Sequence, residues 1–343
     1  MVRSFLVMLA VIGMFLLLLM LTPLAERVGI TLYLLKTSHY RKGWESQPYT
    51  YDVSSSGDTV VFTGGGAGGR DLYLLDTSAR QVRRLTKSEG FEHEVCFLGD
   101  YLVVTSVAEK PNHPLTSKNL YLVDVRNGAV HRLTDDYRTY HSDLFPISSY
   151  ELLFTRMRID YSVKPWGLEV EGSDPRWYIL DIRSGATEQV QTQNFDLNDA
   201  FLNGIFRDRR RIIQTSIIGD RYDLFLRYLS VPVGTLPTRS NRTVRLTRNG
   251  RDAVIAPDER SIYYVSDHSA EGQSSIMQLD LTSRRVTPVL LRDGFITSLR
   301  VRGQWIFFLQ SSGTDISLWR LNLRSKTVEQ LLSPARFANP LGG

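Results

Sequence analysis

Asp71-Leu72-Tyr73-Leu74-Leu75-Asp76 returns as Asn119-Leu120-Tyr121-Leu122-Val123-Asp124 and as Arg176-Trp177-Tyr178-Ile179-Leu180-Asp181. The same plan ends at Tyr228, Asp280 and Asn322, so successive endpoints lie 48, 57, 47, 52 and 42 residues apart. A period of about 50 residues is the mark of a propeller or a solenoid. A second apolar anchor follows each endpoint: Leu85, Leu133, Val190, Leu246, Val289 and Leu331, at offsets of 9, 9, 9, 18, 9 and 9. The long offset marks an insertion in the fourth repeat, within Leu229–Arg242. Upstream, Thr59–Thr63 (TVVFT) matches runs starting at Tyr101, Glu151, Arg211, Ser261 and Trp305. Each run follows a turn signal such as Gly99-Asp100 or Pro257-Asp258, which supplies the dihedrals of a tight antiparallel turn. A fourth apolar stretch precedes each turn, as in Val95–Leu98 and Val254–Ala256.

Each repeat therefore reads as four short antiparallel strands, A to D. Six repeats predict an all-β, six-bladed propeller of four-stranded blades over residues 49–333, which protects strand edges by radial closure. Every blade is complete in A-to-D order, so ring closure must rest on packing blade one against blade six. The remaining chain divides into residues 1–25, a signal peptide or signal-anchor helix, a linker over 26–48 and a C-terminal tail over 334–343.

The aligned pattern is S-x-x-G-x-x-[VI]-x-F, then LYLLD, then RRLT. It is carried by Ser54, Gly57, Val60, Phe62, Asp71–Asp76 and Arg84-Leu85-Thr86. It resembles the PD40, or WD40-like, repeats of the TolB family. Blade five keeps Pro257-Asp258 but has Glu259 where that family prefers Gly. The resemblance implies protein–protein contact in the cell envelope.

Composition agrees with strands and turns: 25 Gly, 16 Tyr, 15 Phe and 5 Trp in 343 residues. One cysteine, Cys96, rules out an intramolecular disulfide framework and a cysteine-rich zinc module. A net charge of +5 is too small to imply nucleic acid. Phe5–Leu21 carries no charge and follows Arg3, which reads as a membrane segment. Pro23 makes a poor cleavage site before Glu26, so an uncleaved anchor with an exported propeller is expected, and secretion after signal cleavage is the alternative.

No nucleophile elbow, Walker A loop, H-E-x-x-H or Rossmann fingerprint is present. Gly64–Gly69 lacks the following Lys-Ser/Thr of a phosphate loop and reads as a turn. His93 and His141 open A strands in adjacent blades, with Glu92, Glu94 and Asp143 nearby. They support a second reading, a lyase or hydrolase dependent on a divalent metal at the channel mouth. The first reading is a non-enzymatic, monomeric binding module that needs no cofactor.

Two segments are candidates for partner contact. The B–C connection of blade three carries Tyr161 and Trp166, aromatic anchors of the kind interfaces favour. The A–B turn of blade four carries Arg207, Arg209, Arg210 and Arg211, and the inserted C–D segment brings Arg239 and Arg242 to the same face. The opposite face collects Glu89, Glu92, Glu94, Asp143 and Asp252. The arginine face suits an acidic protein partner, because a planar guanidinium pairs with carboxylates. The alternative is that its arginines pair with neighbours such as Asp208 and Asp258.

Overall fold

A computed structural model of the chain describes residues 50–341, apart from 66–69, 88–90, 108–116, 137, 165–166, 174, 194–199, 220, 236–237, 269–271, 314 and 339. The expected membrane segment and linker lie outside the described residues.

Blade one is β1 (Tyr51–Val53), β2 (Thr59–Gly64), β3 (Asp71–Asp76) and β4 (Val82–Arg84), antiparallel and in that spatial order. Blade two is β5 (Phe91–Leu98), β6 (Tyr101–Val107), β7 (Lys118–Asp124) and β8 (Val130–Arg132). Blade three contains β9 (Thr139–Pro146), β10 (Glu151–Lys164), β12 (Arg176–Asp181) and β13 (Thr187–Gln189). An extra strand, β11 (Gly167–Gly172), folds back on β10. The short strand β14 (Thr192–Gln193) then runs parallel to the outer strand of blade four. That blade is β15 (Phe201–Ile205), β16 (Arg211–Ile218), β17 (Arg221–Leu229) and β18 (Thr238–Arg248). Blade five is β19 (Arg251–Ile255), β20 (Ser261–His268), β21 (Gln273–Asp280) and β22 (Val286–Asp293). Blade six is β23 (Phe295–Arg302), β24 (Trp305–Ser312), β25 (Asp315–Asn322) and β26 (Val328–Leu332), and helix α1 (Pro334–Ala338) follows it.

The second strand of each blade is buried on both faces, which is why it reads as a continuous apolar run. In β2, Val61 packs toward blade two, while Val60 and Phe62 pack toward blade six. Six apolar clusters fill six blade-to-blade interfaces. Between blades two and three, Cys96, Leu98, Val103 and Leu120 meet Leu152, Phe154 and Leu180. The last interface closes the ring, with Tyr51, Val53, Val60, Phe62 and Leu75 of blade one against Phe307, Leu309 and Leu318 of blade six. Closure by packing is as expected from the complete A-to-D repeats. Helix α1 has no counterpart in the sequence reading. Its fully buried Phe337 meets the Phe62 ring edge-on, with centroids 5.5 Å apart at 86°.

Polar bonds reinforce the same seam. Tyr51 Oη donates to Ser298 O at 2.5 Å. Asp52 accepts from Arg300 Nε at 3.0 Å and Arg302 Nη2 at 3.4 Å. Arg80 Nη2 donates to Glu329 Oε2 at 2.7 Å.

The C–D turns repeat closely. Asp76 Oδ1 accepts from the backbone N–H groups of Ser78 and Ala79, both at 2.8 Å. Asp280 Oδ1 accepts from those of Thr282 and Ser283 at 2.9 and 2.7 Å. Asp124 Oδ1 takes one such bond, from Arg126 N at 2.8 Å, and Asp181 Oδ1 takes two, from Arg183 N at 2.8 Å and Ser184 N at 3.4 Å. Four residues after the strand-end residue the backbone turns left-handed, at Arg80, Gly128, Gly185, Arg284 and Lys326. The strand-end aspartates are therefore structural. The Arg126 side chain, then its backbone N–H, holds the Asp124 carboxyl below its ordinary range. A depressed carboxyl pKa contributes stability above the unfolded value, and that contribution is lost as pH falls through the folded value. Asp124→Ala is expected to lower the melting temperature by a few degrees at neutral pH, and the difference from the parent should shrink in acid. Equal melting at neutral pH would contradict this role.

Candidate functional site

Strand alternation gives the propeller two faces. The chain enters β1 on the face that carries the B–C and D–A connections, here called the entry face. The A–B and C–D turns form the opposite turn face.

On the turn face, the A–B turn of blade four is tight. Arg209 N donates to Phe206 O at 2.8 Å, and Arg209 adopts a φ of 54°. Glu259 occupies the same place in blade five, with a φ of 57°. A left-handed backbone favours Gly, which accounts for the family preference at that position.

The arginines of this turn divide into two kinds. Arg209 Nη2 reaches Glu151 Oε2 of blade three at 2.5 Å. Arg211 Nε pairs with Asp208 at 2.7 Å, its Nη2 lies 3.5 Å from Glu259 of blade five, and its guanidinium stacks 4.2 Å from the Phe206 ring. These two tie neighbouring blades together. Arg207 also reaches blade five, donating from its backbone N to Glu259 Oε1 at 2.7 Å and from Nη2 to Pro257 O with its Nε 3.9 Å from Glu259, yet its side chain stays 80% exposed. Arg210 is exposed as well.

Arg239 and Arg242 lie within β18, an eleven-residue strand, so the insertion lengthens the outer strand of the blade. Both are exposed, and Arg242 sits 5.7 Å from the Tyr228 ring. The same strand carries Arg245, 3.6 Å from Asp223, and the exposed Arg248. Arg248, absent from the sequence reading, lies opposite Asp223 toward the entry end of the strand, away from the turn face. Beyond the two-residue pairing with β14, the exposed charge of this strand also discourages edge-to-edge pairing.

Tyr161 belongs to the entry-face connection, so the fold separates it from the arginines. The B–C connection of blade three is a hairpin, with Tyr161 opposite Val170 and Lys164 opposite Gly167. Trp166 lies outside the described residues.

The third feature is the axis. The inner strands of blades two to six each slip register against the second strand: at Glu92/Glu94, Ser142/Phe145, Leu202/Gly204, Arg251/Val254 and Thr297/Arg300. Bulges leave ladder groups unpaired, and neighbouring blades supply acceptors. Glu94 Oε2 accepts from Asp143 N at 2.8 Å, and Asn203 Oδ1 from Ala253 N at 2.7 Å. A channel cavity of about 310 Å³ results, with Thr50, Glu94, Asp143, Asn203, Asp252 and Ser298 contributed by the six blades.

Contrary to the expectation of a channel-mouth pair, His93 and His141 do not line this cavity. They are 7% and 0% exposed, packed into their blades. His141 Nδ1 lies 2.6 Å from Lys118 O, and its Nε2 lies 3.1 Å from Asp136. Among the described residues no three His, Cys, Asp or Glu side chains converge as a metal centre requires.

Burial pushes Glu94 up to about 7, with the Asp143 charge adding to it. Burial also pushes His93 down to about 3, helped by Lys118 and Arg70. The signs oppose. Between about 3 and 6.5 the unfolded chain holds a proton that His93 lacks when folded, so acid destabilises. Between about 4.5 and 7 folded Glu94 holds a proton that the unfolded chain lacks, so acid stabilises. Glu94→Gln is expected to raise stability by about 1–2 kcal/mol above pH 7, discounted because the group lines the channel cavity. It should also make the protein more acid-sensitive between about pH 6.5 and 4.5. Parallel urea-melt profiles for variant and parent would contradict both effects.

Among solved structures, the chain aligns with TolB from Acinetobacter baumannii at a TM-score of 0.56 and 14% identity, over 82% of this chain and 64% of that one. The fold is a TolB-like β-propeller. This TolB-like propeller also aligns with a putative TolB from Agrobacterium tumefaciens at a TM-score of 0.51 and 13% identity, over 76% of this chain and 87% of that one. An isopeptidase with astexin3-dC4 bound aligns at 0.51 and 11% identity, over 83% of this chain and 51% of that one. The chain thus spans 64% of the Acinetobacter TolB and about half of the isopeptidase. No protein-family model and no curated protein sequence matches it. Identities this low speak for the fold, and a fold does not choose between binding and catalysis.

Proposed function

We propose that this chain is an exported, non-enzymatic binding propeller of the cell envelope, held at the membrane through residues 5–21. Its turn face engages an acidic protein partner through Arg207, Arg210, Arg239 and Arg242. The observation that carries this reading is the division among the blade-four arginines. Arg209 and Arg211 are 28% and 29% exposed and held against carboxylates of neighbouring blades, while these four side chains lie exposed on one blade, Arg207 at 80% even with its Nε 3.9 Å from Glu259. The TolB-like fold supports a module that presents rigid loops to a protein. Among the described residues no helix is long and apolar enough to cross a membrane, so the anchor rests on the sequence of Phe5–Leu21.

The test uses the full chain as bait in envelope extracts, followed by titration of the captured protein against Arg210→Glu/Arg242→Glu. Both positions are clear of the inter-blade pairs, so the fold is left intact. Affinity is expected to fall about tenfold or more and to weaken with salt in the parent. Unchanged affinity without salt dependence would remove the turn face and leave the Tyr161 hairpin as the contact.

A further inference from the structure

Nine large hydrophobic side chains are exposed among the described residues, and they are not scattered evenly. Phe201 opens β15, Ile217 and Ile218 end β16, and Tyr222 lies near the start of β17. All four positions are on the entry side of blade four. Leu291 near the end of β22, Phe295 at the start of β23 and Leu341 after α1 are on the entry side too. Only Val130 and Val286, each at the start of an outer strand, lie toward the turn face.

Within blade four the patch is continuous. Ile217 pairs with Tyr222, and Phe201 pairs with Thr215, two residues from Ile217. Residues two apart on a strand share a sheet face, so Phe201, Ile217 and Tyr222 occupy one. Their exposures are 61%, 57% and 37%. Soluble surfaces seldom gather apolar side chains on one side without something to cover them.

The entry face is also the face from which the rest of the chain departs, since residues 1–49 precede Thr50. That stretch holds the uncharged run Phe5–Leu21. The segment from residue 22 to 49 spans at most about 100 Å, whatever its conformation. A propeller tethered so closely meets the bilayer surface at high effective concentration.

We infer that the entry face rests on the lipid bilayer, with Phe201, Ile217, Ile218, Tyr222 and Phe295 at its interfacial zone. This rests on the reading of residues 5–21 as the membrane segment. Aromatic and branched apolar side chains suit that zone. The arginine turns then face away from the membrane, free for a partner.

Cys96 is buried, so an introduced surface cysteine takes a fluorescent label selectively. Ile217→Cys and Phe295→Cys probe the entry face, and Ala79→Cys probes the turn face. The labelled full chain is reconstituted in phosphatidylcholine vesicles with and without nitroxide-bearing lipid, and its flotation with the vesicles is recorded. Labels at 217 and 295 are expected to shift to the blue and lose most of their emission to the lipid nitroxide, while the label at 79 keeps its emission. Flotation with labels at 217 and 295 quenched no more than that at 79 would overturn the inference and leave the anchor standing; the entry face would then be open to a protein. Failure to float would overturn both.

Discussion

Replacing Phe337 by alanine is expected to lower stability by about 3–5 kcal/mol, the usual range for removing a buried aromatic ring. Phe337 is fully buried in the cluster that joins blade one to blade six. Its ring meets Phe62 edge-on, a geometry that contributes beyond area alone. Gly65 N donates to Phe337 O at 3.2 Å, and a Cβ on Gly64 would come within 2.7 Å of Pro340, so the segment is pressed closely onto β2. Collapse of the site is limited because β1, β2 and β24 are held by their own ladders. Urea melts of the variant check the value. Leu341→Ala, in the same segment but 57% exposed, is expected to change stability by less than about 0.5 kcal/mol. Similar small effects for both would mean that the helix does not hold the seam.

Asp52→Ala is the second large expectation, at about 2–4 kcal/mol. Asp52 has a side chain only 4% exposed and joins three blades. It accepts from Phe97 N of blade two at 2.8 Å and from Arg300 and Arg302 of blade six. Its removal leaves the part-buried Phe97 N–H without its acceptor and takes the carboxylate away from two guanidinium groups that keep backbone carbonyl acceptors. The cost stays below that of a dry ion pair because Arg300 keeps 37% of its side chain exposed. Asp52→Asn should recover part of the loss in urea melts, since its amide oxygen can still accept from Phe97 N. Equal losses for Ala and Asn would assign the whole effect to charge.

The strands were legible because each blade repeats the same burial pattern. β3 and β12 fall on the expected residues, and β2 extends TVVFT by only Gly64. The hairpin of blade three was not legible: nothing local in Tyr161 to Glu171 shows that β11 returns along β10 rather than crossing to the next blade. The inner-strand bulges were hidden for a related reason. Asp143 and Ser298 take left-handed backbones that neither residue announces, because the channel sets them. The arginines of the candidate site could be found, yet not their division. Glu151 and Glu259, which neutralise Arg209 and Arg211, lie 58 and 48 residues away in the neighbouring blades.

Both faces depend on the ring being closed by its first and last blades. Native-state hydrogen exchange of the full chain measures this directly. Amides of Val61 and Phe62 in β2 and of Phe307 and Phe308 in β24 are expected to open with the same free energy and denaturant slope as Ile212 and Ile213 in β16, as one cooperative unit. Exchange of the blade-one amides through a smaller opening, with blade four still protected, would contradict a ring closed at that seam.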